Sequence, residues 1–158
     1  MLLFNPSAYD AAHYDEPTRR ALLAVRRFFE AKGHEVLKAE SHDATWYEDF
    51  LGMIAREGIF AVFGTPAAVG TSTGGTEVTT ARWDTARNND LGQLLAWYSL
   101  EHWYAWQVTV LGLGPVWTSG NGEAKRLVGQ LPAQGGVFAF ALSEREPGAD
   151  IYSTDMVL

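Results

Sequence analysis

Near its C-terminal end the chain reads Gly135-Gly136-Val137-Phe138-Ala139-Phe140-Ala141-Leu142-Ser143-Glu144-Arg145-Glu146-Pro147-Gly148-Ala149-Asp150. An apolar run, residues 137–142, is followed by Ser-Glu, a Pro-Gly turn, a small residue and an Asp. This pattern predicts a buried strand that delivers its end, and the loop after it, to a binding site. The sequence stops eight residues later, so we expect most partners of such a site to lie outside this chain.

The first half of the chain predicts helices. Asp15 is a good N-cap, Pro17 is tolerated in a first helical turn, and Gly33 is a natural terminator. Between them, four apolar residues share one helical face: Leu22, Val25, Phe28 and Phe29. A short helical continuation is predicted at 35–40. The next helix carries the apolar residues of 46–54, and the candidate caps for it are Ser41, Asp43 and Thr45.

The second half continues the helical pattern. The apolar run 59–63 is compatible with a short buried strand or with a packed loop, and the composition of 64–76 predicts a surface loop. Apolar spacing from Trp83 to Leu113 predicts two helical pieces that the glycines and proline of 112–115 terminate. Asn121 is the expected cap of a helix from Glu123 to about Gln130.

Composition places the chain among ordinary globular domains. It has 158 residues, a net charge of -7 and no cysteine. One domain is expected, without disulfides or thiolate sites. Basic residues form no stripe, which argues against nucleic-acid binding. No secretory signal and no run of about 18 apolar residues is present, so we expect a soluble, cytoplasmic protein without a membrane span.

The sequence carries no self-contained catalytic motif. It contains no Glu-x-x-His pair for a di-iron site, no nucleophile elbow and no phosphate-binding loop. The four histidines are therefore expected to be surface or hydrogen-bonded structural residues. The predicted terminal strand also lacks an evident partner, although a lone strand does not form a stable sheet. Either 59–63 pairs with it, or the chain is the front part of a longer protein; we favour the second alternative.

Two segments together resemble the acyl-CoA dehydrogenase family. The first is Gly120-Asn121-Gly122-Glu123-Ala124-Lys125-Arg126, which is similar to the family's Gly-Asn and Lys-rich helix. The second is Phe138 to Asp150, which is similar to an apolar strand that ends in Thr/Ser-Glu and continues to Gly-Ser/Ala-Asp. The resemblance covers nearly the whole chain and is specific over about 112–154. It implies a mainly α fold: an N-terminal helical domain over 1–134 and the start of the middle β-domain over 135–158.

The resemblance also implies a cofactor and a reaction. Members use FAD to oxidise an acyl-CoA thioester to the 2,3-enoyl-CoA, and they pass electrons to electron-transfer flavoprotein or another acceptor. By position, the flavin contacts would be Phe140, Leu142 and Ser143. Gly148 and Ala149 would approach the CoA thioester arm. Ala149 stands where many members have Ser, so only a backbone contact would remain there, and Arg145-Glu146-Pro147 departs from the usual turn.

The acyl pocket and the catalytic base follow from the same resemblance. The fourth helix of the family's first domain helps to form the acyl pocket, which assigns this role to Trp103, Tyr104, Gln107 and Leu111. The bulk of Trp103 and Tyr104 predicts a short or unusual acyl chain. The family's base is usually a Glu of the C-terminal bundle, so no catalytic residue is assigned, and the chain alone is expected to be inactive.

Two other interpretations stay open. A flavin monooxygenase or nitroalkane-oxidase-like enzyme would keep the fold and change the reaction. A helical interaction domain would instead bind a partner through its aromatic surface. For the leading interpretation, we expect a homo-oligomer when the protein is complete.

Overall fold

A computed structural model of the chain describes residues 5–66, 84–131 and 138–139. These residues are 79% helical and contain no strand, which confirms the mainly α class. A 3-10 turn at Pro6–Ala8 precedes the helices α1 (Glu16–Lys32), α2 (His34–Asp43), α3 (Tyr47–Arg56), α4 (Ile59–Phe63), α5 (Thr85–Tyr98), α6 (Leu100–Thr118) and α7 (Gly122–Gln130). Most of the loop predicted at 64–76, and all but two residues of the segment 135–158, lie outside the described residues.

Helix α1 begins and ends where its sequence predicts. The Asp15 carboxylate accepts a hydrogen bond from the backbone N–H of Thr18 at 2.9 Å. Gly33 ends the helix with φ of 76°, a left-handed conformation that glycine adopts without steric cost. The predicted apolar face is buried at Leu22, Val25 and Phe29. This face packs against α4 and α5, so the first helix forms one side of the core.

The predicted cap of α3 is wrong. Ser41 and Asp43 belong to α2, and the N-cap position of α3 is Trp46, which makes no side-chain capping hydrogen bond. The reason is the end of α2: Ala44 adopts φ of 55°, and the Thr45 N–H donates to the Glu40 carbonyl at 3.0 Å. This Schellman-type arrangement ends α2, and it places Ser41 and Asp43 in α2 rather than at the N-terminus of α3.

The segment 59–63 is the short helix α4, so both the strand and the packed loop predicted for it are wrong. Its buried residues are Ile59, Phe60 and Phe63, and the spacing of one and four residues places them on one helical face. They pack against α1 and α3. Burial of this face in the core outweighs the modest helix propensity of Ile, Val and Phe.

Helix α6 does not end at 112–115 as predicted but continues through Pro115 to Thr118. Proline removes one backbone hydrogen bond, and other contacts hold the last turn. The Thr118 hydroxyl donates to the Gly114 carbonyl at 3.0 Å, and the Trp117 indole N–H donates to the Gly64 carbonyl at 3.0 Å. Because Trp117 is buried, the turn after the proline is tied to the core.

Helices α5 and α6 are the two pieces predicted before residue 113, and they form an antiparallel pair. Only Ser99 separates them, and its backbone is extended, with φ of -162°. Helix α7 packs on α6, and its predicted cap is confirmed: the Asn121 side chain accepts from the Ala124 N–H at 3.0 Å. No helix in the described ranges combines the length and apolar character that crossing a membrane requires.

Candidate functional site: a groove between two helices

A groove of about 910 Å³ lies between α5 and α6. From α5 its described lining residues are Thr85, Asn88, Asn89, Gly92, Gln93 and Ala96. From α6 they are Leu100, Trp103, Trp106, Gln107, Val110, Leu111, Gly114 and Pro115. The lining surface is mostly apolar, as is typical of sites that bind small organic molecules.

Two tryptophans form the apolar base of the groove. Trp106 is buried and stacks on Phe60 with a ring-centroid distance of 5.2 Å. Trp103 is half-buried, and its indole nitrogen lies 3.4 Å from the position that a Cβ on Gly92 would occupy. The missing side chain at Gly92 therefore lets the indole rest directly on α5. The two helices hold both rings in place against the rest of the core.

The junction of α5 and α6 is fixed by His102. The ring is buried, and Phe29 and Phe50 lie edge-to-face with it at centroid distances of 5.0 and 4.7 Å. Its Nδ1 lies 2.7 Å from the hydroxyl oxygen of Ser99, the N-cap of α6. Burial, and secondarily the charge of Lys32, lower the pKa of His102. A neutral imidazole thus contacts Ser99, the residue that joins α5 to α6 at one end of the groove.

Most polar side chains in the described lining of the groove are amides. The amide nitrogen of Asn88 donates to the carbonyl oxygens of Phe63 and Asp84, both at 3.1 Å. This fixes the orientation of the amide, and its oxygen is buried without a hydrogen-bond partner. Within the described part of the chain, three further amides make no side-chain hydrogen bond: Asn89, Gln93 and Gln107. The groove therefore offers neutral donors and acceptors that the fold does not use.

The described lining residues of the groove can bind a ligand but offer no acid–base chemistry. Its described lining residues include no acid, base, Tyr or His. Proton transfer in catalysis requires a titratable group within hydrogen-bond reach of the reacting atom. This surface can hold an apolar group, bond neutral oxygen or nitrogen atoms and exclude water, but its described residues cannot act as an acid or base.

Three of the four residues predicted to contact an acyl chain come together in the groove. Trp103, Gln107 and Leu111 line it, whereas Tyr104 lies outside its lining and is 62% exposed. The predicted flavin contacts and the residues predicted at the thioester arm lie outside the described residues: Phe140, Leu142, Ser143, Gly148 and Ala149.

The described beginning of the C-terminal segment lies on a different side of α6. Phe138 packs against the core. A Cβ on Gly112 would lie 2.9 Å from the carbonyl oxygen of Ala139, closer than such atoms approach. Gly112 is five residues from Gln107, which places it roughly 140° around the helix. The glycine predicted to terminate α6 instead allows the backbone of Ala139 to touch the helix.

The sequence analysis did not identify the contribution of α5. Thr85, Asn89 and Gln93 recur at intervals of four residues, so they share one face of the helix. The buried leucines of α5 lie elsewhere on it, at 91, 94 and 95. A stripe of uncharged polar residues next to a tryptophan-rich helix was the available signal. The apolar spacing of this segment does not reveal the stripe, because the buried leucines lie on another face of the helix.

Other polar clusters have structural roles. The Asp90 carboxylate accepts hydrogen bonds from the hydroxyls of Tyr9 and Tyr14, both at 3.1 Å, which attaches the lead-in segment to α5. Burial, with the charge of Asp90, raises the pKa of Tyr14 to about 12. Lys32 joins α1 to α2 and α3 through Glu40 and Asp49, at 2.5 Å each. In the described ranges, no group of three His, Asp or Glu residues could hold a metal ion.

Comparisons with known proteins add no relative. No family model matches the chain, and neither a curated protein nor a solved structure matches it.

Proposed function

We propose that this chain is the N-terminal helical domain, with the beginning of the middle β-domain, of an FAD-dependent acyl-CoA dehydrogenase. In this proposal the groove between α5 and α6 binds the acyl chain of the thioester. The chain contributes binding and orientation, and the catalytic base comes from a part of the enzyme that these 158 residues do not include.

One observation carries the proposal. The resemblance assigns acyl contacts to four residues of one helix before any geometry is considered. Three of them, Trp103, Gln107 and Leu111, line one mostly apolar groove. A saturated acyl chain gains about 0.8 kcal/mol for each CH₂ group it removes from water, so a surface of this kind favours it.

The absence of titratable residues in the described groove lining is consistent with a chain that binds the acyl group while the catalytic base lies elsewhere in the enzyme. Removal of the α-proton of a thioester needs a carboxylate in a water-excluded site, and a non-titratable surface around the acyl chain keeps that site dry. When bound, FAD would accept the β-hydrogen as hydride. Phe140, Leu142 and Ser143 would contact it. The described residues just before them fit this role, because Phe138 and Ala139 are fixed against the helical domain.

The test is an acyl-CoA titration of the 158-residue chain, followed by ¹H–¹⁵N NMR. We expect hexanoyl-, decanoyl- and hexadecanoyl-CoA to shift the indole resonance of Trp103, which a Trp103→Phe variant assigns. Trp103→Ala enlarges the groove and is expected to move the preference towards longer chains. Tyr104→Ala is the matched control, because Tyr104 is an adjacent aromatic outside the groove lining. If none of the three thioesters binds, the proposal is wrong.

The interaction-domain interpretation has one observation in its favour. Trp97, Leu100 and Tyr104 are large apolar side chains that are at least 50% exposed. A surface of this kind can mark a protein interface. The acyl-CoA titration separates the two functions, since an acyl-binding domain is expected to bind acyl-CoA whether or not sedimentation shows that the chain associates through this surface, whereas an interaction domain is not expected to bind it.

A further inference from the structure

The groove combines mostly apolar ends with an amide-rich centre. Gly92 and Trp103 are in contact across it. Helices α5 and α6 are antiparallel, so one turn further from their junction brings Asn88 and Gln107 to the same level. Asn89 and Gln93 flank this level on α5. Towards the junction the lining residues are Ala96 and Leu100, and at the far end they are Thr85, Val110, Leu111, Gly114 and Pro115.

The ends of the groove favour a hydrocarbon, but its amide-rich centre is less favourable for one than for a chain that carries a polar group. An unbranched acyl chain offers no hydrogen bond, so where it covers the half-buried Gln107 it would remove water without replacing the hydrogen bonds that this amide loses. Burying a polar group without a partner is unfavourable. The indole N–H of Trp103 also has no acceptor within the described part of the chain. The centre of the groove therefore presents several unused hydrogen-bonding groups, all of them neutral.

We propose that the groove takes an oxygenated acyl chain, with a hydroxyl or oxo group several carbons from the thioester that bonds to the amides at its centre. The inference rests on the proposed function and names the substrate class of the same site. Gln107 is the main contact, because it lines the groove one turn after Trp103 on α6, at the level of Asn88 on α5. A carboxylate or phosphate on the chain is disfavoured, since the described lining residues include no cation to pair with it.

The experiment compares octanoyl-pantetheine with 5-hydroxyoctanoyl-pantetheine as ligands of the 158-residue chain, by NMR titration. A net hydrogen bond is worth about 0.5–1.5 kcal/mol, so we expect the hydroxylated ligand to bind about 2- to 13-fold more tightly. Gln107→Leu removes the amide at nearly the same volume. We expect this variant to bind both ligands with equal affinity, and to bind octanoyl-pantetheine at least as tightly as the unmodified protein does.

Gln130→Leu is the matched control, because it makes the same change at an exposed position on α7. It is expected to preserve the preference for the hydroxylated ligand, and circular dichroism checks that both variants are folded. Equal binding of the two ligands to the unmodified protein would overturn this inference and leave the proposed acyl site intact. Failure of both ligands to bind would instead contradict the acyl site itself, and this inference with it.

Discussion

Two sides of α6 differ in how their polar groups are satisfied. On the side that faces the core, His102 bonds to Ser99, the Thr109 hydroxyl donates to the Ala105 carbonyl at 2.8 Å, and the Trp117 N–H donates to the Gly64 carbonyl. On the side that faces the groove, Trp103 and Gln107 make no side-chain hydrogen bond with any described residue.

The contrast separates the residues that hold the fold from those available to a ligand. Buried polar groups in folded proteins are almost always hydrogen-bonded, because an unpaired one costs stability. On the core side, Thr109 and Trp117 follow this rule through contacts within the chain, and His102 follows it at Nδ1, whereas its buried Nε2 has no hydrogen-bond partner among the described residues. Since the groove side keeps its donors and acceptors unused, its polar residues do not contribute to the fold through hydrogen bonds, and a ligand can use them.

The largest expected effect compares two tryptophans of this helix. Trp117→Phe removes the hydrogen bond to Gly64 and leaves a gap in the core, so we expect a loss of about 2–3 kcal/mol in the free energy of unfolding. Trp103→Phe removes an N–H that has no acceptor in the described residues, and we expect a loss below about 1 kcal/mol. Urea unfolding of both variants measures the difference. Similar losses for the two would show that the groove side is as much a part of the core as the opposite side.

A smaller effect is expected at two glycines of the same helix. Gly112→Ala would bring a Cβ to 2.9 Å from the Ala139 carbonyl oxygen, whereas a Cβ on Gly114 would meet nothing within 4 Å. Alanine favours a helix over glycine by up to about 1 kcal/mol. We therefore expect Gly114→Ala to stabilise the protein and Gly112→Ala to destabilise it by about 1 kcal/mol, since overpacking outweighs the propensity gain.

Thermal unfolding of the glycine variants tests whether Ala139 packs on the side of α6 that carries Gly112. If both variants are stabilised to the same extent, Ala139 does not pack on α6, and the fixed position of the segment before the predicted flavin contacts is lost as support for the proposed function.

Local signals in the sequence predicted the helices whose ends are set by their own residues. The caps Asp15 and Asn121 and the terminator Gly33 act through hydrogen bonds or backbone preferences within a few residues, so their identities were sufficient. Helix α4 and the extension of α6 past Pro115 depend on distant partners. The Trp117 bond to Gly64 joins residues 53 positions apart, and no local pattern encodes it.

The sequence predicted the α6 residues of the candidate site and not its α5 residues. The resemblance located the residues of α6, whereas Asn88, Asn89 and Gln93 of α5 required the pairing of the two helices to be known. A groove is a property of two surfaces, and the sequence shows each of them separately. The missing half also supplies three of the four amides at the centre of the groove, so it bears directly on the choice of substrate.

The smallest expected effect is a pH dependence that arises on the core side of α6. Because burial and the charge of Lys32 lower the pKa of His102 in the folded protein, the unfolded chain binds its proton more readily. The contribution of this residue is thus fully present above the unfolded pKa of about 6.5 and falls as the pH drops below it. Trp46, Glu101 and Asp49 oppose the shift without reversing it.

Urea unfolding at pH 7.5 and 5.5 checks this expectation. A single group changes stability by no more than about 1.4 kcal/mol per pH unit, so the unmodified protein should lose stability gradually on acidification. His102→Gln removes the titration and should flatten the profile, whereas His42→Gln, at a side chain that is 88% exposed, should keep the original one. A His102→Gln profile as steep as that of the unmodified protein would mean that the imidazole accepts a proton without leaving its aromatic surroundings. Burial on the core side of α6 would then not disfavour the charged form of His102.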